Sequence, residues 1–179
     1  MIQKWKTDDI QPAGDFTIFS LSRVQRSLGE KTGEFVVVNS PNWVNIIPIT
    51  HDGNLVMVEQ YRHGSDSITL ELPGGLMDKG ENPEDAVRRE CLEETGYAGE
   101  ELVYIGEQLP NPAFMNNTCF TYAWHGCRKI REQNLDRTED ILVKEVPLWD
   151  IMRLLTEGKI NHSIIMSAIF LYFLKYPLK

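Results

Sequence analysis

Short apolar runs separated by polar turns dominate the first half of the chain, a pattern typical of strands that bury one face. Residues 16–24 and 34–39 form two such runs, and they predict paired strands around a turn at residues 28–33. Residues 44–50 and 54–62 repeat the pattern across a short turn that contains glycine. This half of the chain is therefore predicted to be mainly β-structure.

Helical spacing first occurs at residues 83–95. Asn82 can cap the first turn of this helix, Pro83 fits that turn, and Gly96 can end the helix. The later strands and helices are predicted over residues 102–108, 119–126, 141–146, 150–157 and 164–174. The last helix is predicted to be buried and capped near Ser163, and it is too short to span a bilayer. Strands on both sides of a helix predict an α/β sandwich around a mixed sheet.

Three carboxylates lie on one side of the first predicted helix. At about 100° per residue, Glu90, Glu93 and Glu94 fall within an arc of roughly 100°. Like charges at this spacing cost about 0.2–0.5 kcal/mol per pair, and anions near a helix C-terminus oppose the helix dipole. Arg89 can offset part of this charge by pairing with Glu93, but a hard divalent cation such as Mg²⁺ compensates the whole cluster. The alternative is an acidic helix face that is simply hydrated.

Glycines before the helix favour a ligand site over that alternative. Gly74 and Gly75 follow an extended run at residues 67–72, and Gly80 lies just before the helix. Glycine lets the backbone approach a ligand closely, although paired glycines can equally form a tight turn. A strand that enters a glycine loop ahead of an acidic helix predicts a metal site that binds a phosphate.

This segment resembles the Nudix box, whose pattern is G-x5-E-x7-R-E-U-x-E-E-x-G-U, where U is an apolar residue. The seven defined positions are occupied by Gly75, Glu81, Arg89, Glu90, Glu93, Glu94 and Gly96. Cys91 and Tyr97 stand at the two U positions, where aliphatic residues are commoner, so these departures affect packing rather than chemistry. The resemblance implies hydrolysis of a nucleoside diphosphate linked to another moiety.

The resemblance also implies roles for the residues of the box. Glu90 and Glu94 would bind Mg²⁺, or Mn²⁺ in its place, often together with Glu93 and the carbonyl group of Gly74. The residues that would brace these carboxylates are Glu81 and Arg89.

Along most of its length the chain is similar to ADP-ribose and nucleotide-sugar pyrophosphatases within the Nudix family. These enzymes place an antiparallel N-terminal sheet before the catalytic core and commonly form homodimers by exchanging it. The similarity implies such a sheet at residues 10–40, a dimerisation region at residues 1–42 and a Nudix core at residues 43–179. It also implies an α/β/α sandwich fold and a reaction that gives a nucleoside monophosphate and a sugar phosphate.

The same similarity suggests residues that bind the substrate. Residues 58–62 resemble the segment whose arginine reaches a substrate phosphate, so Arg62 is the expected phosphate ligand, although a strand-end arginine can also be an ordinary surface residue. Gly75 is expected to approach the substrate through its backbone, and Pro112 stands where ADP-ribose-type members have a proline. The aromatic residues that could stack on the base are Trp5, Phe35, Trp43 and Phe114.

The expected general base is Glu139, in a polar loop just before the extended run at residues 141–146. In ADP-ribose pyrophosphatases an acidic loop at the matching place supplies the base. Asp140 and Glu93 are the alternatives, and Glu139 can also be read as a hydrated loop acid with no part in catalysis.

Composition and charge limit the classes of function and the compartment that fit this chain. The chain has 179 residues, of which 42% are hydrophobic, and its net charge of −8 argues against nucleic-acid binding through a basic surface. Cys91, Cys119 and Cys127 form no Cys-x-x-Cys pair, which indicates reduced thiols in a cytoplasmic protein. Residues 1–10 have no apolar core, so no secretory signal is expected, and no membrane partner is expected either. Two other functions stay open. One is a Nudix hydrolase of nucleoside triphosphates, dinucleoside polyphosphates or RNA caps, and the other is a nucleotide sensor without turnover.

Overall fold

The computed structural model of the protein describes residues 1–177. Contacts within the chain divide it into two units. One unit consists of residues 1–42 and 109–118, and the other consists of residues 43–108 and the chain from residue 119 onward.

The smaller unit contains a three-stranded antiparallel sheet with β1 (Lys6–Asp15), β2 (Ser20–Leu28) and β3 (Lys31–Asn39). The apolar pattern predicts β2 and β3 but not β1, whose sequence is polar and contains Pro12. Within this sheet β1 pairs only with β2, so it is an edge strand. Edge strands tolerate proline and polar side chains on both faces, which is why the pattern gives no sign of this one.

Residues 109–118 fold with the N-terminal sheet, although they are far from it in the chain. The Val38 N–H donates to the Phe114 carbonyl oxygen at 2.8 Å, and the Asn116 side chain donates to Asn39 Oδ1, also at 2.8 Å. Asn117 is buried and donates to the backbone of an earlier residue in the same unit. This proline- and asparagine-rich segment is therefore a structural part of the smaller unit.

The larger unit is built on a mixed sheet. Its strands are β4 (Trp43–Thr50), β5 (Asn54–Arg62), β6 (Ser67–Glu71), β7 (Gly74–Leu76), β8 (Tyr97–Ala98), β9 (Glu101–Gln108), β10 (Cys119–Lys129) and β11 (Ile141–Pro147). The main order is β11-β5-β4-β10-β8, while β6 pairs with β5, β7 with β4 and β9 with β10. The central pair β4 and β10 is parallel and the other pairs are antiparallel, which makes the sheet mixed, as predicted.

Helices cover both faces of this sheet. They are α1 (Pro83–Thr95), α2 (Ile151–Thr156), which follows a 3-10 turn, and α3 (Ser163–Lys175). Successive residues of β4 point to opposite faces, so Val44 and Ile46 pack with α1 while Ile47 and Ile49 pack with α2 and α3. The predicted α/β/α sandwich with an additional N-terminal antiparallel sheet is confirmed.

The helix α1 begins and ends at the predicted residues. Asn82 Oδ1 accepts a hydrogen bond from the Asp85 N–H at 3.0 Å. At the other end Gly96 has a φ of 75°, and its N–H donates to the Leu92 carbonyl oxygen. Local capping signals were sufficient here because the residues that satisfy both helix ends lie next to the helix in the chain.

Three local expectations are corrected by the structure. Gly74–Leu76 form a strand paired with β4 rather than a loop. Ser163 is the first helical residue of α3, and His162 takes the N-cap position without a side-chain cap bond. The helix α3 is also only partly buried, because one of its sides packs on the sheet and the other faces outward. Its large exposed side chains are Met166, Phe170 and Leu174.

The three cysteines are buried free thiols, as expected for small core residues. Burial raises the pKa of Cys91, and it raises the pKa of Cys119 and of Cys127 to about 12.

No helix within residues 1–177 combines the length and hydrophobicity needed to cross a bilayer.

Candidate active site

The guanidinium group of Arg89 organises the acidic turn of α1. It forms a two-pronged ion pair with Glu81, with both nitrogen–oxygen distances at 2.9 Å, and it donates to the Leu76 carbonyl oxygen at 3.1 Å. Its remaining nitrogen lies 2.8 Å from Glu90 and 3.4 Å from Glu93. One arginine therefore connects the end of β7, the loop before the helix and two helix carboxylates.

Glu90 and Glu94 lie against the glycines of β7. The Gly74 N–H donates to Glu94 Oε2 at 2.8 Å. A Cβ atom added at Gly75 would come within 2.6 Å of Glu90 Oε1, so only glycine allows the carboxylate to come this close to the strand. Burial raises the pKa of Glu90 in spite of Arg89. Burial and the nearby charges of Glu90 and Glu139 raise the pKa of Glu94 to about 8, against the lowering effect of the Gly74 N–H.

This donor set fits a hard divalent cation, although the carboxylates do not form one ready-made group. Among residues 1–177, no three His, Cys, Asp or Glu side chains converge into a metal-binding cluster. Glu93 is paired with Arg89 at 3.4 Å, and the three helix carboxylates do not show the full convergence expected from the helical spacing within residues 1–177. Two desolvated carboxylates beside a backbone are nevertheless the oxygen ligands that Mg²⁺ or Mn²⁺ favours, and a cation would remove the cost of their burial.

The expected phosphate ligand Arg62 is held by a buried carboxylate. Arg62 Nε and Nη2 donate to the two oxygens of Glu71 at 2.8 and 2.7 Å. Glu71 is 1% exposed, and it is also bonded by Thr69 and by His162 Nδ1, the latter at 3.0 Å. Burial alone would raise the pKa of Glu71, but these bonds outweigh it and hold the pKa well below its usual range. Arg62 is thereby oriented while about 44% of its side chain stays exposed.

Glu139 lies on the loop between β10 and β11, within electrostatic range of this site. Its charge contributes to the raised pKa values of Arg62, Glu90 and Glu94. The side chain is exposed and accepts a hydrogen bond from the Asp136 N–H at 3.0 Å, while the Glu139 N–H donates to the Asp136 carbonyl oxygen. The fold thus brings an exposed acid from a distant loop near the glutamates of α1.

The aromatic candidates lie in different surroundings. Trp43 begins β4 and is half-buried, and its buried indole nitrogen has no hydrogen-bond partner within the described residues. Phe114 belongs to the smaller unit and is exposed. Trp5 and Phe35 pack against each other edge to face, with ring centroids 5.7 Å apart. Their mutual packing already accounts for these two rings.

A family comparison agrees with this arrangement. The NUDIX domain model matches residues 41–168, which include β4 to β7, α1 and the loop that carries Glu139. The chain belongs to the Nudix family. As a Nudix hydrolase it has every acidic position of the box filled, and Glu81 and Arg89 of the box are hydrogen-bonded to each other.

Individual relatives include two pyrophosphatases. The chain is 31% identical over 140 residues to a methanol dehydrogenase activator of Bacillus methanolicus and 29% identical to an ADP-ribose pyrophosphatase of Bacillus subtilis (strain 168), with 78% of this chain and 76% of each relative covered. It is 31% identical to a GDP-mannose pyrophosphatase of Yersinia pestis (strain Pestoides F) over 61% of this chain and 59% of the relative.

A solved structure shares the fold. The crystal structure of an ADP compounds hydrolase superposes with a TM-score of 0.86 over 99% of this chain and 98% of that one. Its sequence identity to this chain is 22%, so this likeness bears on the fold alone.

Two residues of the site had no signal in the sequence. Glu71 is separated from His162 by 91 positions, and only the folded chain brings the N-cap of α3 to the end of β6. An isolated glutamate in an extended run is usually an exposed residue. The apolar neighbours of Glu71 in the run at residues 67–72 indicate a strand, but they do not indicate that Glu71 forms a buried ion pair.

The Glu71 network predicts a specific acid sensitivity. A carboxylate whose pKa is lowered by folding adds stability above its ordinary value of 4.5, and that stability is lost as the pH falls toward the folded-state pKa. We expect the free energy of unfolding to decline below about pH 4.5, by up to roughly 1.4 kcal/mol per pH unit for this one group. Urea titrations between pH 7 and pH 3 should show a shallower decline in Glu71→Gln, which should also be less stable at pH 7.

The exposed turn residue Glu30 provides the control. Glu30→Gln should keep the slope of the parent protein. An unchanged slope in Glu71→Gln would mean that this network does not govern acid stability.

Proposed function

We propose that this Nudix hydrolase cleaves the diphosphate of ADP-ribose or of another nucleoside diphosphate sugar, giving a nucleoside monophosphate and a sugar phosphate. The observation that carries the proposal is the pair formed by the buried Glu94 and the partly buried Glu90, which are held against Gly74 and Gly75, with the oriented Arg62 within electrostatic range of Glu94. The substrate class is supported by the similarity to the ADP-ribose and GDP-mannose pyrophosphatases. The buried free thiols fit the reducing cytoplasm, where we place the enzyme.

Glu90 and Glu94 would hold Mg²⁺, or Mn²⁺ in its place, with help from Glu93 and the Gly74 carbonyl group. The bound ion would neutralise the diphosphate and acidify the attacking water. Arg62 has one guanidinium nitrogen that is not engaged by Glu71, and this nitrogen can fix a phosphate in line for attack.

The remaining roles fall to the strand, the aromatic residues and the loop. Gly75 would let the strand backbone come close to the substrate, because it carries no Cβ. Trp43 and Phe114 are proposed to contact the base. Glu139 would take the proton from the water, with Asp140 or Glu93 as alternatives.

A substrate panel tests the assignment. ADP-ribose, ADP-glucose, GDP-mannose and UDP-glucose should be split in the presence of Mg²⁺ into a monophosphate and a sugar phosphate, as identified by chromatography. Preferred turnover of nucleoside triphosphates, dinucleoside polyphosphates or capped RNA would favour another class of Nudix hydrolase. Binding of these nucleotides without turnover would favour a sensor.

We predict that Glu94→Gln nearly abolishes turnover while the fold survives. The change removes a metal ligand, and it also removes a carboxylate whose burial is unfavourable. The free energy of unfolding, measured without added metal, should therefore stay equal or rise. Activity within about threefold of the parent at saturating Mg²⁺ would contradict the ligand role, since a direct ligand should matter far more.

We predict that Glu139→Gln lowers kcat by about 10²–10⁴ because it removes a positioned base. The affinities for Mg²⁺ and substrate should be nearly unchanged, since among residues 1–177 the Glu139 side chain hydrogen-bonds only to Asp136 in its own loop. Steady-state kinetics and metal titration measure both. If kcat instead collapses in Glu93→Gln with metal still bound, while Glu139→Gln keeps the parent rate, the base belongs to α1.

We also propose that residues 1–42 are a dimerisation region and that residues 43–179 form the catalytic core, apart from residues 109–118, which fold with the smaller unit. Ile10 and Phe35 are aligned across β1, β2 and β3 on one face of the sheet, and both are large hydrophobic side chains that are exposed. Because apolar side chains exposed together on one face mark an interaction surface, we expect a homodimer formed through this face.

Light scattering at micromolar concentration should give the mass of two chains for the parent protein and a smaller mass for Ile10→Lys. Gln11→Lys is the matched control, because Gln11 is the next residue of β1 and points to the opposite face. A fully active parent protein with the mass of one chain would reject the dimer.

A further inference from the structure

The carbonyl groups at the C-terminal end of α1 are capped by one segment of chain, residues 130–134. The Asn134 N–H donates to the Glu93 carbonyl oxygen at 2.9 Å, and the Ile130 N–H donates to the Gly96 carbonyl oxygen at 2.9 Å. The end of a helix needs such partners because its last carbonyl groups find no N–H donor inside the helix. Here the partners come from the segment that leads directly into the Glu139 loop.

Gln133 makes the central contact of this segment. Its Nε2 donates to the Glu94 carbonyl oxygen at 2.6 Å and to the Ile141 carbonyl oxygen at 3.1 Å. Both partners are pure acceptors, so the amide group must present its NH₂ end to them. One side-chain nitrogen therefore joins the metal-binding turn of α1 to the first residue of β11.

The same amide closes the base of the Glu139 loop. The loop leaves the segment after Asn134 and ends at Ile141, and Gln133 is next to the first of these residues and is hydrogen-bonded to the second. The loop that carries Glu139 thus has both of its ends held close to the backbone of Glu94.

Packing contributes little to this junction on one side. Gln133 borders a cavity of about 340 Å³. The other lining residues are Thr95, Tyr97, Lys129, Val143 and Glu145. On the helix side, a Cβ atom at Gly96 would lie 2.1 Å from the Arg131 carbonyl oxygen, so the segment can come this close to the helix end only because residue 96 is glycine. The junction therefore depends on hydrogen bonds, and Gln133 supplies the only side-chain bond from residues 130–134 to α1 among the described residues.

We propose that Gln133 is a positioning residue that sets the Glu139 loop relative to the metal-binding turn of α1. It touches neither substrate nor metal, and it acts on the rate by holding the base in place. This inference rests on the proposed function of the same site. An error of about 1 Å in the placement of a base can cost up to roughly 10² in rate.

The decisive variant is Gln133→Glu, which keeps the shape of the side chain but turns an oxygen toward two carbonyl oxygens. We expect kcat for the best substrate of the panel to fall about ten- to hundredfold while KM stays within about twofold. Gln133→Met removes the donor without adding charge and should show a smaller loss of the same kind. Hydrogen exchange at residues 135–140 should accelerate in both variants.

Asn54→Asp is the matched control. Asn54 is also an amide that donates to a β11 residue, Glu145, at 3.0 Å, and it lies at the opposite end of that strand. The change should cost comparable stability but leave kcat and hydrogen exchange at residues 135–140 as in the parent. A kcat loss in Gln133→Glu no larger than in Asn54→Asp, or a KM that rises in step with it, would overturn the proposal.

A double variant separates this inference from the proposed function. If Gln133 acts through the base, Gln133→Glu should add little to the kcat loss of Glu139→Gln, whereas independent effects would multiply and refute the positioning role. If no substrate of the panel is turned over, the proposed function fails. Hydrogen exchange then still tests the junction by itself, since unchanged exchange at residues 135–140 would refute it.

Discussion

The burial of like-charged carboxylates beside the backbone of β7 is the constraint on which the site depends. Glu90 and Glu94 lie where water is largely excluded, and the raised pKa of each reflects the unfavourable burial of its charge. The surrounding structure limits this cost in two ways, through the Gly74 N–H that Glu94 accepts and through the Arg89 guanidinium beside Glu90. The part of the cost that remains is what would make the pair a strong ligand for the proposed divalent cation.

Arg89 and Arg62 illustrate two uses of the same side chain. Arg89 is surrounded by Glu81, Glu90, Glu93 and a carbonyl oxygen, so its donors are consumed in holding the acidic turn together. Within residues 1–177, Arg62 uses two guanidinium nitrogens to bond the buried Glu71, and its third nitrogen is the one proposed to bind the substrate. The planar fork of the guanidinium allows this division, because two nitrogens can be fixed while the third remains available.

The back of the helix α1 matters as much as its acidic face. Its last carbonyl groups are bonded by residues 130–134, the stretch of chain that continues into the loop of Glu139. A few hydrogen bonds beside a cavity thus join α1, which presents the carboxylates, to the Glu139 loop, which is proposed to supply the base. Hydrogen bonds are directional, so such a junction can hold a loop in a fixed position without burying it.

The sequence by itself determined the helix α1, most strands of the two sheets and the box acids, because these depend on neighbours a few positions away. Asn82 and Gly96 end the helix through their own side chain and backbone, and apolar periodicity is a local property. Only the tertiary structure decided that Gly74–Leu76 pair with β4, that β1 extends the small sheet and that residues 109–118 fold with it. It also decided the partners of Glu71 and Gln133. These contacts join residues far apart in the chain, and their energy comes from burial and hydrogen-bond geometry that exist only once the sheets have formed.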